Sequence, residues 1–431
     1  MILAFTLGLL ASDFEVSGAT VSAYPIAVSE VASAGATGLA AAALRQRIEP
    51  MLAMTGMFRV LDRASFLAPA NEGLDAPAIN WAAWQQIGAR GLLKLALKAE
   101  GKQTQINWAL FDPASKALLT KGRLLRPAKA ETKAAEAICD AVILRLSGEP
   151  GPFASRIVFV RREKDAKSIW TTASDGSDLR RVTKAGTLNI LPSFGAGGSS
   201  VYFTSYAGGR PDLYLSGIDG GPWKAISRQP GLNTGATLSP GKVQIGGTTY
   251  PRLLALSLSK DGNSEIYLLK PGGAIVARLT NHWGIDSSPT WSPDGKQIAF
   301  VSNRGGSPQI YTITLATKTR RRMTFQGNYN QTPAWSPRGN LIAFTGRDER
   351  NVFDLFTVDV QTQKVTRLTQ SQGHNEEPSW APNGRLIVFT STRDGQGPRL
   401  YVMREDGRHH RLLNAKLGEA TTPRWSGFIA R

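Results

Sequence analysis

Pro289-Thr-Trp-Ser-Pro-Asp294 returns as Pro333-Ala-Trp-Ser-Pro-Arg338, as Pro378-Ser-Trp-Ala-Pro-Asn383 and, shortened, as Pro423-Arg-Trp-Ser426. The tryptophans stand at 291, 335, 380 and 425, in steps of 44, 45 and 45 residues. A period of that length, carried by strand-forming residues, predicts one four-stranded propeller blade per repeat.

The parts of a repeat have separate physical roles. Ser292 to Gly295 reads as a turn, because proline presets φ and glycine accepts a positive φ. Strand-like runs follow at 297–302 and 309–314, and a third ends at Met323-Thr324. Short strands with Gly/Pro punctuation and no helical period make an antiparallel blade. The second-strand phenylalanine recurs at Phe159, Phe203, Phe300, Phe344 and Phe389, and the run Leu253 to Leu256 fits the open slot between Phe203 and Phe300. That predicts six blades. Blade two has Phe194-Gly-Ala-Gly where the others have Trp-Ser-Pro-Asp, and blade three carries an insertion through Gly246 and Gly247. The blade starting at Arg156 lacks its own Pro-x-Trp strand, whereas Pro423-Arg-Trp425 has no blade after it. The last strand is therefore expected to close the ring on blade one, which removes free sheet edges.

At 431 residues the chain exceeds one core. Residues 19–151 read differently: strand-like Val21 to Val28, an amphipathic stretch from Leu39 to Met57, strand-like 58–61, helical Trp81 to Gly88, strands at 92–98 and 105–111, and a helix from Glu131 to Leu146. That predicts a small α/β domain. Gly148-Glu-Pro-Gly-Pro152 cannot continue a helix and marks the boundary, so residues 152–431 form the propeller.

The formal charge is +18. Residues 1–151 hold 15 Lys and Arg against 13 Asp and Glu, leaving 36 against 20, or about +16, for the propeller. Many of these charges fall on outer strands, where they keep blades from pairing with other molecules. Attraction to an anionic partner or membrane surface is the other reading. No aromatic-basic recognition module points to nucleic acid. The one cysteine, Cys139, excludes an internal disulfide and reads as a small buried hydrophobe. Residues 1–18 read as a signal remnant, Met1 to Ala11, which lacks a basic start, followed by an extended segment. Ten apolar residues are too few to span a bilayer.

The chain contains no G-x-S-x-G, no H-E-x-x-H, no P-loop and no metal-spaced Cys or His pair, so neither catalysis, cofactor nor metal is expected. His409 and His410 read as solvated. His282 and His374 occupy equivalent inter-blade loops, and a metal there would want further ligands.

The phrase Pro-x-Trp-Ser-Pro-Asp-Gly followed by Ile-Ala-Phe, Ile-Tyr and a closing Arg-Leu-Thr or Arg-Met-Thr resembles the repeats of TolB-like propellers. Its setting narrows the match: an α/β domain with Phe58-Arg-Val-Leu-Asp-Arg63 and Trp81-x-x-Trp-x-x-Ile-Gly88, then Leu146-Ser-Gly148, Phe153-x-x-Arg-Ile157, six blades and Trp425-Ser426. The chain resembles the TolB family over nearly its whole length. The resemblance implies a periplasmic component of the Tol-Pal system that binds the peptidoglycan-associated lipoprotein Pal through its propeller. It implies contact with TolA through an N-terminal segment, here near Phe14 to Gly18, and a peripheral role in outer-membrane integrity and cell division.

Strand alternation indicates where a partner docks. If the Trp strand runs away from an upper face, the Pro-Asp-Gly turns lie on the lower one, and the loops after strand two join the inter-blade loops above. The upper face then gathers Asp286, Arg304, Tyr329, Asn330, Gln331, Arg347, His374, Asn375, Glu376 and Arg393. Polar loops of differing sequence on near-identical blades suit recognition. The arginines after strand two have a structural alternative, bridging to neighbouring blade loops. Two function classes stand: a non-enzymatic interaction scaffold, and an enzyme or small-ligand binder using the central channel, which needs converging titratable groups.

Overall fold

The computed structural model describes residues 23–34, 41–69, 72–164, 166–184, 186–347 and 349–429. Met1 to Ala11 and Phe14 to Gly18 lie outside them. The chain divides into two compact units, Met1–Phe153 and Ala154–Arg431.

In the first unit β1 (Tyr24–Ala34), α1 (Ala41–Met54), β2 (Phe58–Val60), α2 (Trp81–Gln86), β3 (Gly91–Glu100), β4 (Gln103–Asp112), β5 (Ala117–Pro127) and α3 (Glu131–Ser147) follow in order. The sheet runs β2-β1-β3-β4-β5, with β1 parallel to β2 and β3 and the other pairs antiparallel. Helices α1 and α3 pack together and bury Leu44, Ile48, Ile138 and Val142. Cys139 is buried with them, its Sγ 3.8 Å from the Ile48 carbonyl. Helix α3 stops where Gly148 takes φ 72° and its N–H donates to Leu144 O at 2.9 Å, a left-handed cap that glycine adopts without a Cβ clash.

Strand β5 is absent from the sequence reading. As an edge strand it carries Lys121, Arg123 and Arg126 with exposed Leu118 and Leu125, so it lacks the apolar alternation of a half-buried strand. It fits the sheet because Gly122 lies against Trp108, where a Cβ would come within 2.6 Å of the indole.

Among the apolar residues of β3, Lys94 is 3% exposed. Its ammonium donates to Glu72 Oε2 at 2.9 Å. Glu72 also accepts from Trp84 Nε1 at 3.0 Å and from Asn80 N at 2.7 Å. Burial pushes Lys94 below its ordinary value. Burial alone would raise Glu72, but the bonds from Lys94, Trp84 and Asn80 hold it below the usual range.

The second unit is a six-bladed β-propeller. Blade four shows the pattern, with strands Asp286–Trp291, Gln297–Ser302, Gln309–Thr314 and Arg320–Arg322 hydrogen-bonded in chain order from the channel outward. Blades five and six repeat it from Asn330 and Asn375, and blades two and three from Asn189 and Asn233. Blade three's insertion forms an extra hairpin, Val243–Ile245 with Thr248–Tyr250. Blade one takes its inner strand, Ala420–Trp425, from the far end of the sequence, paired antiparallel with Arg156–Glu163.

The repeat motif has a structural reason at each position. Trp335 packs among Ala299, Val301, Ile310, Ile342 and Phe344, so it fills the gap between blades four and five. The closing threonine of Arg-x-Thr accepts a backbone N–H from the third strand: Ile169 to Thr183, Ile266 to Thr280, Ile310 to Thr324 and Leu355 to Thr369, at 2.9–3.0 Å. Each of these hydroxyls is buried, so the bond satisfies donor and acceptor together.

All six inner strands share one irregularity. The third residue of each, Leu191, Gly235, Ser288, Thr332, Glu377 and Thr422, has φ between 49° and 65°, and the register to the second strand slips beside it. Only glycine takes that conformation freely, and for a β-branched residue such as Thr332 it is an outlier. Six bulges at one level around the channel mean the closed ring imposes the conformation on whichever residue stands there.

Candidate functional site

The inner strand of each blade starts on one face and its second strand returns to it, so the loops after strand two and the inter-blade loops share the upper face. The structure divides the ten expected residues into three groups.

Asp286, Asn330 and Asn375 are not presented on loops. They are the first residues of inner strands, buried at 0%, 3% and 0% exposure, which corrects the expectation that they face a partner. Arg304 and Arg393 are held by them. Arg304 Nη2 donates to Asp286 Oδ2 at 2.6 Å and its Nε to Ser302 Oγ at 2.8 Å. Arg393 Nη2 donates to Asn375 Oδ1 at 2.8 Å and its Nε to Ser391 Oγ at 2.9 Å. Each guanidinium lies over a ring pair, Phe300 with Tyr311 and Phe389 with Tyr401, at 4.7–5.5 Å. Both arginines are thus bridged, but within their own blade and not to the loop of a neighbouring blade, which was the expected alternative. Burial raises Asp286 above the ordinary carboxylate value even with Arg304 beside it.

Arg393 Nη1 also lies 2.7 Å from His410 Nδ1. His410 is therefore not a solvated side chain, as expected from its basic stretch. Burial, and then the Arg393 charge, depress its pKa.

Gln331 and Glu376 follow Asn330 and Asn375 and are half-buried. Burial, with Glu377 next to it, pushes Glu376 up to about 7. Glu377 accepts from Thr390 Oγ1 at 2.9 Å and Thr422 Oγ1 at 3.0 Å, so it ties blade six to blade one. Below them a channel cavity of about 370 Å³ has Glu377 and Arg424 as its charged lining residues. No group of three or more metal-competent side chains occurs among the described residues.

Tyr329, Arg347 and His374 form the third group, which the structure brings together. The Arg347 guanidinium lies 4.9 Å from the Tyr329 ring and 5.2 Å from Phe353. Phe353 in turn lies 5.9 Å from the exposed His374 ring, giving one stack across blades five and six. Among the described residues the Arg347 side chain makes no hydrogen bond or ion pair, and its buried Nε has no partner.

The sequence reading missed the apolar part of this face. Among the described propeller residues, Leu188, Tyr206, Leu232, Trp283, Ile285 and Phe325 are exposed large hydrophobics on the upper face, with Trp283 73% and Phe325 63% exposed. All six stand in loops or at strand ends, where period-two alternation says nothing about burial. An arc of such residues across blades two to five has the composition of a docking surface.

Residues 143–429 match the family described as TolB beta propeller domain, and residues 12–119 the one described as TolB amino-terminal domain. A curated Protein TolB homolog of Chlorobium luteolum is 34% identical over 275 residues, 64% of this chain and 60% of that protein. A Tol-Pal system protein TolB of Anaeromyxobacter dehalogenans is 37% identical over 269 residues, 62% of this chain and 59% of that protein. The chain thus matches about three fifths of the length of these curated relatives. The crystal structure of TolB from Acinetobacter baumannii superposes with a TM-score of 0.80 at 26% identity, covering 94% of this chain and 97% of that one.

Proposed function

Since this chain belongs to the TolB family, we propose that it is a periplasmic, non-enzymatic interaction scaffold of the Tol-Pal system, and that the upper face of its propeller binds the lipoprotein Pal. The observation that carries the docking face is the cluster of Tyr329, Arg347, Phe353 and His374 together with the arc of exposed apolar side chains on the same face. Aromatic and arginine anchors bounded by polar groups are what interface centres use. The face is otherwise an unexplained exposure of Trp283 and Phe325. The positive charge of the propeller favours encounter with an acidic partner or an anionic membrane surface nearby. In this reading TolA is met through the N-terminal segment near Phe14 to Gly18, the protein stays peripheral to the membrane, and the assembly supports outer-membrane integrity and division.

The test is calorimetric titration of the whole chain with the soluble domain of Pal from the same cell. Tyr329→Ala, Trp283→Ser and Phe325→Ser are each expected to weaken binding about tenfold or more with an unchanged melting temperature, since each removes about 1.4 kcal/mol or more of interface energy. A substitution on the lower face, Lys296→Ala, serves as control. Wild-type affinity in all three variants would exclude this face, and absence of binding by the intact chain would move the reading to a ligand of the channel.

A further inference from the structure

The fifth residue of each inner strand stands at one level around the channel: Ser193, Thr237, Thr290, Ala334, Ser379 and Arg424. Five of these side chains are small, and the sixth is an arginine. All of them line the channel cavity of about 370 Å³, a volume at the lower end of small-molecule sites. Arg424 is half-buried there. Its Nη1 donates to the Pro423 carbonyl at 3.0 Å, and among the described residues the guanidinium has no other hydrogen bond and no ion pair. Burial depresses its pKa, and Glu377 is the charge that acts against that shift.

Glu377 is spent on the seam between blades six and one. Its Oε2 accepts from Thr390 Oγ1 and Thr422 N, and its Oε1 from Thr422 Oγ1. Two hydroxyls of the same cavity are open instead. Ser193 is 8% exposed and Ser257 1%, and neither Oγ has a hydrogen-bond partner among the described residues. At the level of Ser193, Thr290 Oγ1 and Ser379 Oγ accept from the backbone N–H of Trp335 and Trp425 in the next blade, at 3.4 and 2.9 Å. Ser257 pairs in register with Thr234, as Thr345 does with Gln331 and Thr390 with Glu376. Thr345 and Thr390 bond the third residue of their own inner strand, Thr332 and Glu377. In blade three that residue is Gly235, which has no side chain to offer.

The cavity therefore has donors to spare. A guanidinium carries five N–H groups in a fixed fork and no acceptor, and a single one of Arg424's is used by Pro423. Water satisfies a lone hydroxyl well, but a half-buried cation without an ion pair gains most from a negative group. The fork matches two oxygens of a carboxylate or a phosphate, and such bonds are about twice as strong as neutral ones. Pro192, Ala236, Pro289 and Pro333 add apolar wall against which the organic part of a ligand can rest.

We propose that the channel is a binding site for a small ligand bearing a carboxylate or phosphate group, with Arg424 clasping its oxygens and the open hydroxyls of Ser193 and Ser257 in the wall around it. The site is separate from the docking face and does not depend on that reading.

Calorimetric titration of the full chain at constant ionic strength tests it, with inorganic phosphate, N-acetylalanine and, as the neutral counterpart of the latter, N-acetylalanine amide. Saturable binding of phosphate, of N-acetylalanine or of both supports the site and tells which anion it prefers. Arg424→Thr gives blade one the residue that blades three and four carry at this level, so it should keep the fold and weaken binding about tenfold or more. Ser193→Ala should weaken it about threefold. Binding of neither anion, equal binding of the amide, or wild-type affinity in Arg424→Thr overturns the proposal. A second measurement needs no variant: the indole N–H signals of Trp291 and Trp380, which line the cavity, should shift in NMR spectra along the same saturation curve. Signals that stay in place at saturation put the anion elsewhere and overturn the site.

Discussion

The indole Nε1 of Trp425 donates to the hydroxyl of Ser155 at 2.8 Å, joining residues 270 positions apart. Around this bond Ser426 Oγ accepts from Arg156 N at 3.0 Å, and Trp425 N donates to Ser379 Oγ at 2.9 Å. The last strand thus bonds forward to blade one and back to blade six. Cutting the chain after residue 419 leaves the edge of Arg156–Glu163 unpaired, and Trp425→Ala empties a site that is 8% exposed. We expect the truncated chain to unfold or self-associate, and Trp425→Ala to lose about 3–5 kcal/mol in urea unfolding, with Ser155→Ala losing about 1 kcal/mol. A closing strand that merely rested on the ring would tolerate all three changes.

Arg304 and Arg347 look alike in sequence and differ in what they hold. Arg304 pairs with a fully buried carboxylate, so Arg304→Ala leaves Asp286 without a charge partner, at a cost of about 3–5 kcal/mol. Arg347 lies against the rings of Tyr329 and Phe353 and pairs with no carboxylate among the described residues, so Arg347→Ala should cost less than about 1 kcal/mol. Thermal unfolding of the two variants separates them by several degrees. Equal melting temperatures would mean that the buried pair does not stabilise the propeller.

What the sequence made legible follows from what repeats. Trp291, Trp335, Trp380 and Trp425 recur because the gaps they occupy need the same filling, and the closing threonine recurs in four blades because their third strands leave the same donor, so period and blade number could be read directly. Features set by the closed ring have no residue signature: Leu191, Thr332 and Thr422 take a left-handed φ that only Gly235 would have advertised. Strand alternation placed Asp286 and Arg304 on the correct face, but it indicates the end a residue reaches and not whether its side chain turns inward. The pairing of Arg304 and Arg393 with an Asp or Asn at the start of the inner strand was the signal that would have found those bridges. Trp283 and Phe325, the most exposed aromatics of the face, sit in loops of no period, and nothing in their neighbours marks them as uncovered.

Glu376 gives the propeller a pH dependence of calculable sign. Its folded pKa, about 7, lies above the ordinary 4.5, so between those values the folded chain holds a proton that the unfolded chain has lost. Stability therefore falls as pH rises through that window and is constant outside it. Because water reaches this half-buried side chain, the expected loss between pH 5 and pH 8 is about 1–2 kcal/mol, below the full shift. Glu376→Gln should remove the slope and raise the melting temperature at pH 8 by about 2–4 °C. A slope that persists in the variant would assign the titration to another group.

The Lys94–Glu72 pair offers a test confined to the first unit. Lys94 stands among Leu92, Leu93 and Leu95 on β3, where a single charge is costly, and Glu72 is the group that makes it tolerable while also binding Trp84 and Asn80. Glu72→Gln keeps the shape and removes the charge, so the ammonium is left buried without a counter-ion. Breaking such a pair from one side costs about 3–5 kcal/mol, whereas replacing both members by apolar residues is often neutral. Glu72→Gln is thus expected to unfold the first unit at a lower temperature, seen as loss of near-ultraviolet signal from Trp84, with the propeller transition unmoved. The double variant Lys94→Met/Glu72→Leu should recover most of that loss. If the single and double variants are equally destabilised, the hydrogen bonds to Trp84 and Asn80, rather than the charge pair, hold this region together.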